Sequence, residues 1–476
     1  MSDPCDLDAV KARQLITNKQ LSPVELLESC LQRIEQVNGT LNAVVAIDIQ
    51  AARQKAKADE AAVMAEEDLG LLHGLPVGIK DLEAVQGMKT TYGSLIYKDN
   101  IPDADDAMVA SIRSAQANIF SKTNTPEFGA GANTTNKVYG ATGNPFDPAK
   151  TCAGSSGGTA VALATGMMPL ATGSDYGGSL RTPAGFCGIT GYRPSPGMIP
   201  NTQRNVSLNP FGVLGPMGRT VGDAHLLFLA QIADNRHDPF SSADVATFPS
   251  ILNTVDLGKM RVAWSTDLGC APVAANIAKT FKQRLPHILS PFAESFERAP
   301  FMENIHDCFE ILRGVSFVAA HGENLKNHRD LLGPNVIDNT ERGMAYSLSD
   351  VAWAHTVQTK IYDRFIDFFN DADILICPAA AVSPFPHTQL SVREIDGQPM
   401  PTYMRWLALS YALTTALPAV CVIPCGVDDQ GMPFGIQIAG PKGSDAKVLQ
   451  IAHSLEKVLS TIAETARPLP DLEMLS

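Results

Sequence analysis

Between Cys152 and Gly188 the sequence runs CAGSSGGTAVALATGMMPLATGSDYGGSLRTPAGFCG, crowding serines, threonines and glycines into one segment. A serine that attacks a carbonyl needs a base within hydrogen-bond reach and backbone N–H groups aimed at the developing oxyanion. Two turns here can supply the backbone part. GSSGG sets Ser155 and Ser156 between glycines where a helix begins near Gly157, and DYGGS places Gly177 and Gly178 directly before Ser179. The segment holds no histidine, so a base must come from elsewhere in the chain.

Several chemistries compete for these residues. Gly154, Ser156 and Gly158 fit the G-x-S-x-G nucleophile elbow, which requires a later Asp or Glu and then a histidine, His387 and His453 being candidates. Short glycine and serine runs meet that pattern by chance. Ser454 and Lys457 form an S-x-x-K pair, but they sit on an amphipathic helix with no accompanying S-D-N or K-T-G. No G-K-[ST] follows the glycines, which disfavours a phosphate loop. The histidines have no metal-ligand spacing, and Cys187 has no cationic neighbour in sequence that would activate its thiol, so it reads as a packing residue.

The elements that must position these turns follow an α/β pattern. LSPVELLESCLQRIEQVN has Ser22 as N-cap, Pro23 in the first helical position and Glu25 closing a capping box; Leu27, Cys30, Leu31, Ile34 and Val37 then recur at helical spacing. Alanine-rich residues 50–66 predict a second helix. From LLHGLPVGIKD onward, short apolar runs alternate with helical segments such as 107–115 and 157–165. The runs 420–425 and 434–439 predict strands far along the chain from the glycine-rich segment, with a helix at 445–459 after them, so the sheet draws on both halves. Residues 200–400 carry the weakest pattern.

Composition bounds the rest. The 476 residues are 45% hydrophobic and 18% charged, with 37 Lys plus Arg against 50 Asp plus Glu and a net charge of −13. Nucleic acid and anionic membranes are therefore poor partners. No apolar run is long enough to span a bilayer, and MSDPCDLDAVKARQLITNKQ lacks a basic start and an apolar stretch, so the expected location is the cytoplasm. The nine scattered cysteines predict reduced, mostly buried thiols.

Residues 152–193, with GSSGG, GSDYGGSLR and FCGITG in that order, resemble the signature segment of the amidase signature family of serine hydrolases. GLPVGIKD (74–81), KTNTPEFGAGANTTN (122–136), GATGNPFD (140–147), GPMGRTVGDA (215–224), ADILICP (372–378) and LPAVCVIPCG (417–426) extend the likeness over nearly the whole chain. The resemblance implies one α/β/α domain, residues 66–476, around a mixed, mainly parallel sheet, with an N-terminal helical segment, residues 1–65, packed on it. It also implies a catalytic triad of Lys80, Ser155 and Ser179, with a cis peptide bond between Gly154 and Ser155. The N–H groups of Tyr176, Gly177, Gly178 and Ser179 would form the oxyanion hole, and Gly129 and Tyr176 would face substrate. No cofactor or metal is required. A solvated lysine has a pKa near ~10.4, but burial without a carboxylate disfavours its ammonium form, so a neutral Lys80 could take the proton of Ser179 through Ser155. The bland alternative for Lys80 is a strand-end lysine paired with Asp81, and for Ser156 a helix N-cap. Asp175 and Arg181 are expected to hold the loop, as an ion pair.

What the resemblance leaves open is the substrate. Small-molecule amides and carbamates are both within the family's range, and a homodimer is its frequent habit. Tyr403, Met404, Trp406 and Tyr411 suggest a pocket for a bulky, neutral, partly aromatic group, or else a buried helix. The competing class is the A subunit of a glutamyl-tRNA amidotransferase, which works within a complex. That subunit has Arg-Gln-Pro after the nucleophile and Asn-Leu-Ala-Gly-Leu-Pro later, where this chain has Arg181, Thr182, Pro183 and TTALP. Departures from the family pattern are Ala153 in place of a glycine, Ala416-Leu417-Pro418 in place of Gly-x-Pro, and the bulky Tyr176.

Overall fold

The computed structural model describes residues 3–241 and 248–475. Eleven strands form its main sheet: β1 (Val44–Ile47), β2 (Pro76–Lys80), β3 (Asn118–Thr123), β4 (Leu170–Asp175), β5 (Thr190–Arg193), β6 (Val213–Gly218), β7 (Arg261–Trp264), β8 (Glu294–Glu297), β9 (Ile374–Pro378), β10 (Ala419–Val427) and β11 (Pro433–Gly440). They lie in the order β1-β3-β2-β4-β6-β5-β10-β11-β9-β7-β8. Strands from the first and last parts of the chain meet at β5 and β10, where Cys421 faces Tyr192.

The sheet is mixed, as expected, but the expectation of mainly parallel pairing is corrected. Four junctions are parallel (β2 with β3 and β4, β7 with β8 and β9) and the other six are antiparallel. The cause is local in part. β10 and β11 are joined by residues 428–432, closed by the Asp428 N–H bond to the Met432 carbonyl at 2.8 Å, and so short a link permits only antiparallel neighbours.

The strands β9, β10 and β11 read as largely apolar runs because both faces of the sheet are covered there. Val420, Val422, Leu375 and Cys377 belong to one buried cluster, whereas Cys421, Ile423, Ile374 and Ile376 belong to another. Successive side chains on a strand point to opposite faces, so these two clusters are the two sides of the sheet. The helices Gly157–Ala164, Arg181–Cys187, Ile305–His328, Leu348–Phe368 and Ala408–Thr415 cover the first face; Ala9–Thr17, Ala107–Ser114, Val221–Gln231, Ala275–Leu289 and Asp445–Leu459 cover the second.

The helix Pro23–Leu41 begins as its sequence predicts: Ser22 Oγ accepts from Val24 N–H at 3.0 Å and Glu25 accepts from Ser22 N–H at 3.1 Å. The helix of residues 50–66 runs over Ile49–Met64, and between the two lies β1, a strand within the segment read as helical. All nine cysteines are free thiols, eight of them buried. Among the described residues no helix is long and apolar enough to cross a membrane.

Candidate active site

Lys80 ends β2, a strand buried at every position, and β2 runs parallel to β4 with Val77 beside Leu170 and Gly78 beside Ala171. Their carboxyl ends therefore stop side by side. Lys80 N–H donates to Thr172 Oγ1 at 3.0 Å, and its side chain turns into the gap, where Nζ donates to Ser155 Oγ at 2.7 Å, Ser174 Oγ at 2.9 Å and Ser156 Oγ at 3.0 Å. The pairing of Lys80 with Asp81 is not what forms. Asp81 accepts from the N–H and the hydroxyl of Thr91 and faces Lys122 at 3.7 Å. Among the described residues no carboxylate lies within ion-pair distance of the Lys80 amine. Burial brings its pKa down to about 8, against the pull of Glu83 and Asp175 toward the charged form. Glu83 is itself buried and is pushed up to about 7 by desolvation, which Lys80 and Lys122 only partly offset.

The GSSGG turn carries a cis bond between Gly154 and Ser155, and Ala153 before it adopts a left-handed φ of 62°. Ser156 takes the N-cap position of the helix Gly157–Ala164, yet its hydroxyl makes no capping bond. It accepts from Lys80 and from Ser174 N–H instead. The N-cap reading of Ser156 is thus corrected at its side chain, because the buried amine offers a stronger donor than the helix end.

The DYGGS turn is braced from below. Asp175 takes both Nε and Nη2 of Arg181 at 3.0 Å, Nη1 of Arg193 at 3.1 Å, and the N–H groups of Gly178 and Leu180 at 2.9 and 3.1 Å. Burial favours its neutral form, but the two guanidiniums outweigh that and hold the carboxyl well below the usual range. Gly178 has φ 126°, and a Cβ there would lie 2.5 Å from that of Ser410, so only glycine fits. Because the Gly178 N–H is bonded to Asp175, it points into the brace; this corrects its expected place among the oxyanion donors. The two turns are tied together by Ser156 N–H donating to the Ser179 carbonyl at 3.2 Å.

Above them opens a cleft of about 290 Å3 lined by Ser155, Ser174, Tyr176 and Ser179 at its base. Gly129 lies at its edge with φ 70°, and a Cβ there would sit 3.3 Å from Ser155 Oγ. Helix Ile305–His328 contributes Arg313, Ser316, Phe317, Ala320 and His321, all on one face, to the opposite wall. Tyr176 reaches that wall: its hydroxyl lies 2.9 Å from Ser316 Oγ and accepts from Asn209 at 3.2 Å.

Tyr403, Met404, Trp406 and Tyr411 are outside the lining, so the expectation drawn from them for the pocket is corrected. Trp406 is buried against Phe186 and Phe385, and Tyr411 stacks on Phe309 with ring centroids 4.4 Å apart. The two phenol groups are satisfied inside the fold, with Tyr403 accepting from Arg313 and Tyr411 meeting His306. Sequence reasoning did not single out Ser174 or Arg313. The signal for Ser174 is its period-2 spacing from Thr172 on β4, which puts both hydroxyls on the side facing Lys80; Arg313 had none.

The Amidase family profile matches residues 25–449. An acylamidase of Rhodococcus erythropolis is 31% identical over 95% of both chains. The A subunit of the glutamyl-tRNA(Gln) amidotransferase of Acaryochloris marina is 30% identical, with 94% of this chain and 96% of that one covered. Among solved structures, a bacterial aryl acylamidase of the amidase signature enzymes superposes with a TM-score of 0.87 at 25% identity, covering 95% of this chain and 96% of its own.

Proposed function

The chain belongs to the amidase signature family, whose members of this kind hydrolyse amide C–N bonds, and from that premise we propose that it cleaves a small-molecule amide through an acyl-enzyme on Ser179. The observation that carries the reading is a buried lysine amine 2.7 Å from Ser155 Oγ, surrounded by hydroxyls instead of carboxylates.

In this mechanism Ser179 Oγ attacks the carbonyl carbon while its proton passes to Ser155 Oγ and the Ser155 proton passes to neutral Lys80. The oxyanion is held by the N–H groups of Tyr176, Gly177 and Ser179, that of Gly178 serving the brace. Collapse of the tetrahedral species breaks the C–N bond, and the departing nitrogen takes back a proton from Ser155, which Lys80 replaces. Water then attacks the ester on Ser179 by the same relay, releasing the acid. Aryl amides are the first class to test, in line with the acylamidase relatives; carbamates share the same scissile geometry.

A second reading, a subunit that releases ammonia only inside a tRNA-dependent complex, draws on the amidotransferase relatives. The purified chain separates the two. Expected for the first reading are turnover of a simple anilide and a single fluorophosphonate adduct on Ser179. Ser179→Ala should abolish the adduct, and Lys80→Ala should slow its formation by about a hundredfold to ten-thousandfold. An adduct on Ser156 indifferent to Lys80 would refute the relay; labelling without amide turnover would favour the second reading.

A further inference from the structure

The far wall of the cleft holds a cation that the relay does not use. Two arginines line the cleft, and Arg204 is bound to Asp238 at 2.7 Å. Arg313, only 5% exposed, has no carboxylate partner among the described residues. Its Nε donates to Asn339 at 3.1 Å and its Nη2 to Tyr403 at 2.9 Å, both neutral groups, which fix the guanidinium plane and leave Nη1 without a partner among the described residues. The guanidinium is held between the rings of Phe317 and Tyr176, at 4.5 and 5.4 Å from their centroids. A charge so desolvated requires an anionic partner or loses the interaction energy that would offset its burial.

A second group points the same way. His321, two turns along the same helix face, lines the cleft with Nδ1 buried and unpartnered, its ring against Phe128 and Phe317. Burial, aided by Arg313, brings His321 down to about 4, so at neutral pH it is an uncharged imidazole able to donate one hydrogen bond. The acidic residues of the cleft are engaged elsewhere: Asp175 with its arginines, Asp106 with Ala84 N–H and Gln203, and Glu83 with the Thr172 hydroxyl at 3.5 Å. The wall thus offers a fixed fork, an aromatic sandwich and a neutral donor to whatever enters.

We propose that Arg313 binds a carboxylate of the substrate, so that the amide cleaved at Ser179 carries an acidic group a few bonds from its scissile carbonyl. The reach follows from Tyr176, whose backbone belongs to the proposed oxyanion hole and whose ring lies under Arg313. The proposal rests on the amide-hydrolase reading for what happens at Ser179, and replaces the neutral group expected from sequence.

The test is calorimetric binding to the Ser179→Ala protein, which needs no turnover. Glutaranilate is compared with pentananilide, and N-benzoyl-4-aminobutanoate with N-butylbenzamide; the pairs place the carboxylate on the acyl and amine sides and differ only by carboxylate against methyl. One carboxylate is expected to bind about tenfold or more tightly than its isostere, the scale of a charge-assisted hydrogen bond. That ratio should fall to near one with Arg313→Met added and be partly kept with Arg313→Lys. Tyr403→Phe, which leaves the charge in place, should preserve it. A merely structural role for Arg313 would change both members of a pair alike. Equal binding of both pairs, or a preference that survives Arg313→Met, overturns the proposal. Failure of the amide-hydrolase reading shows separately, as wild-type protein that neither hydrolyses the anilides nor takes label on Ser179.

Discussion

Around Lys80 Nζ, three hydroxyls serve two protonation states differently. An ammonium donates to all three; a neutral amine donates to two and turns its lone pair to the third, and the shortest contact, to Ser155, is the one the proposed relay needs. In the proposed relay the neutral amine is the base, and with its pKa brought down to about 8, kcat/KM should rise about tenfold per pH unit below that value and level off above it. A flat profile from pH 6 to 9 would rule out Lys80 as the base. Ser174→Ala removes one acceptor that favours the ammonium; the acid limb should move to lower pH while the plateau falls about tenfold, the scale of one lost hydrogen bond at an ordered site. Steady-state rates across pH with one anilide check both. Taken residue by residue, the sequence makes Ser155 and Ser179 conspicuous through their glycines, but Lys80 is visible only through family resemblance. Its neighbour Asp81 is an obvious partner on paper, and only the parallel register of β2 and β4 shows that the amine turns the other way.

The brace beneath the DYGGS turn is a property of elements: β4 supplies Asp175, the following helix Arg181, and β5 supplies Arg193. Asp175→Asn would leave two buried guanidiniums without their anion, and a loss of about 3–5 kcal/mol is expected, measured by urea unfolding. Because the folded-state carboxyl titrates below its unfolded value, the stabilisation is complete above the unfolded pKa near ~3.9 and fades as pH falls toward the folded one. The wild type should therefore lose stability relative to Asp175→Asn as pH drops below 4. Elements with strong local signals were legible: the capping box at Ser22, the hairpin strands near 420 and 434, and the helix Asp445–Leu459. Strand direction was not, since it depends on which distant strand becomes a neighbour. Nor was the character of residues 401–413, where aromatic residues suited a pocket and a core equally well until packing against Phe186, Phe385 and Phe309 decided for the core.

At the scale of the molecule, one sheet spans the chain, and the base of the site depends on strands whose far neighbours come from the C-terminal part. β5, which holds Arg193, pairs with β10. Truncation after Ala416 would strip β10 and β11 from the middle of the sheet and expose two apolar edges; the expected product is aggregated protein without labelling at Ser179, against soluble, labelled full-length chain. A soluble fragment that still takes label would show that the catalytic half folds alone. The sequence foresaw a sheet shared by both halves but not the weight of the helix Ile305–His328, which forms a wall of the site. That division has a practical meaning. Every group in the proposed relay and in the brace falls between Lys80 and Arg193, whereas Arg313 and its neighbours ride on a separate helix that meets them through Tyr176. A library confined to positions 317, 320 and 321, which line the cleft without a hydrogen bond to Tyr176, varies that wall while the hydroxyls around Lys80 Nζ stay as they are.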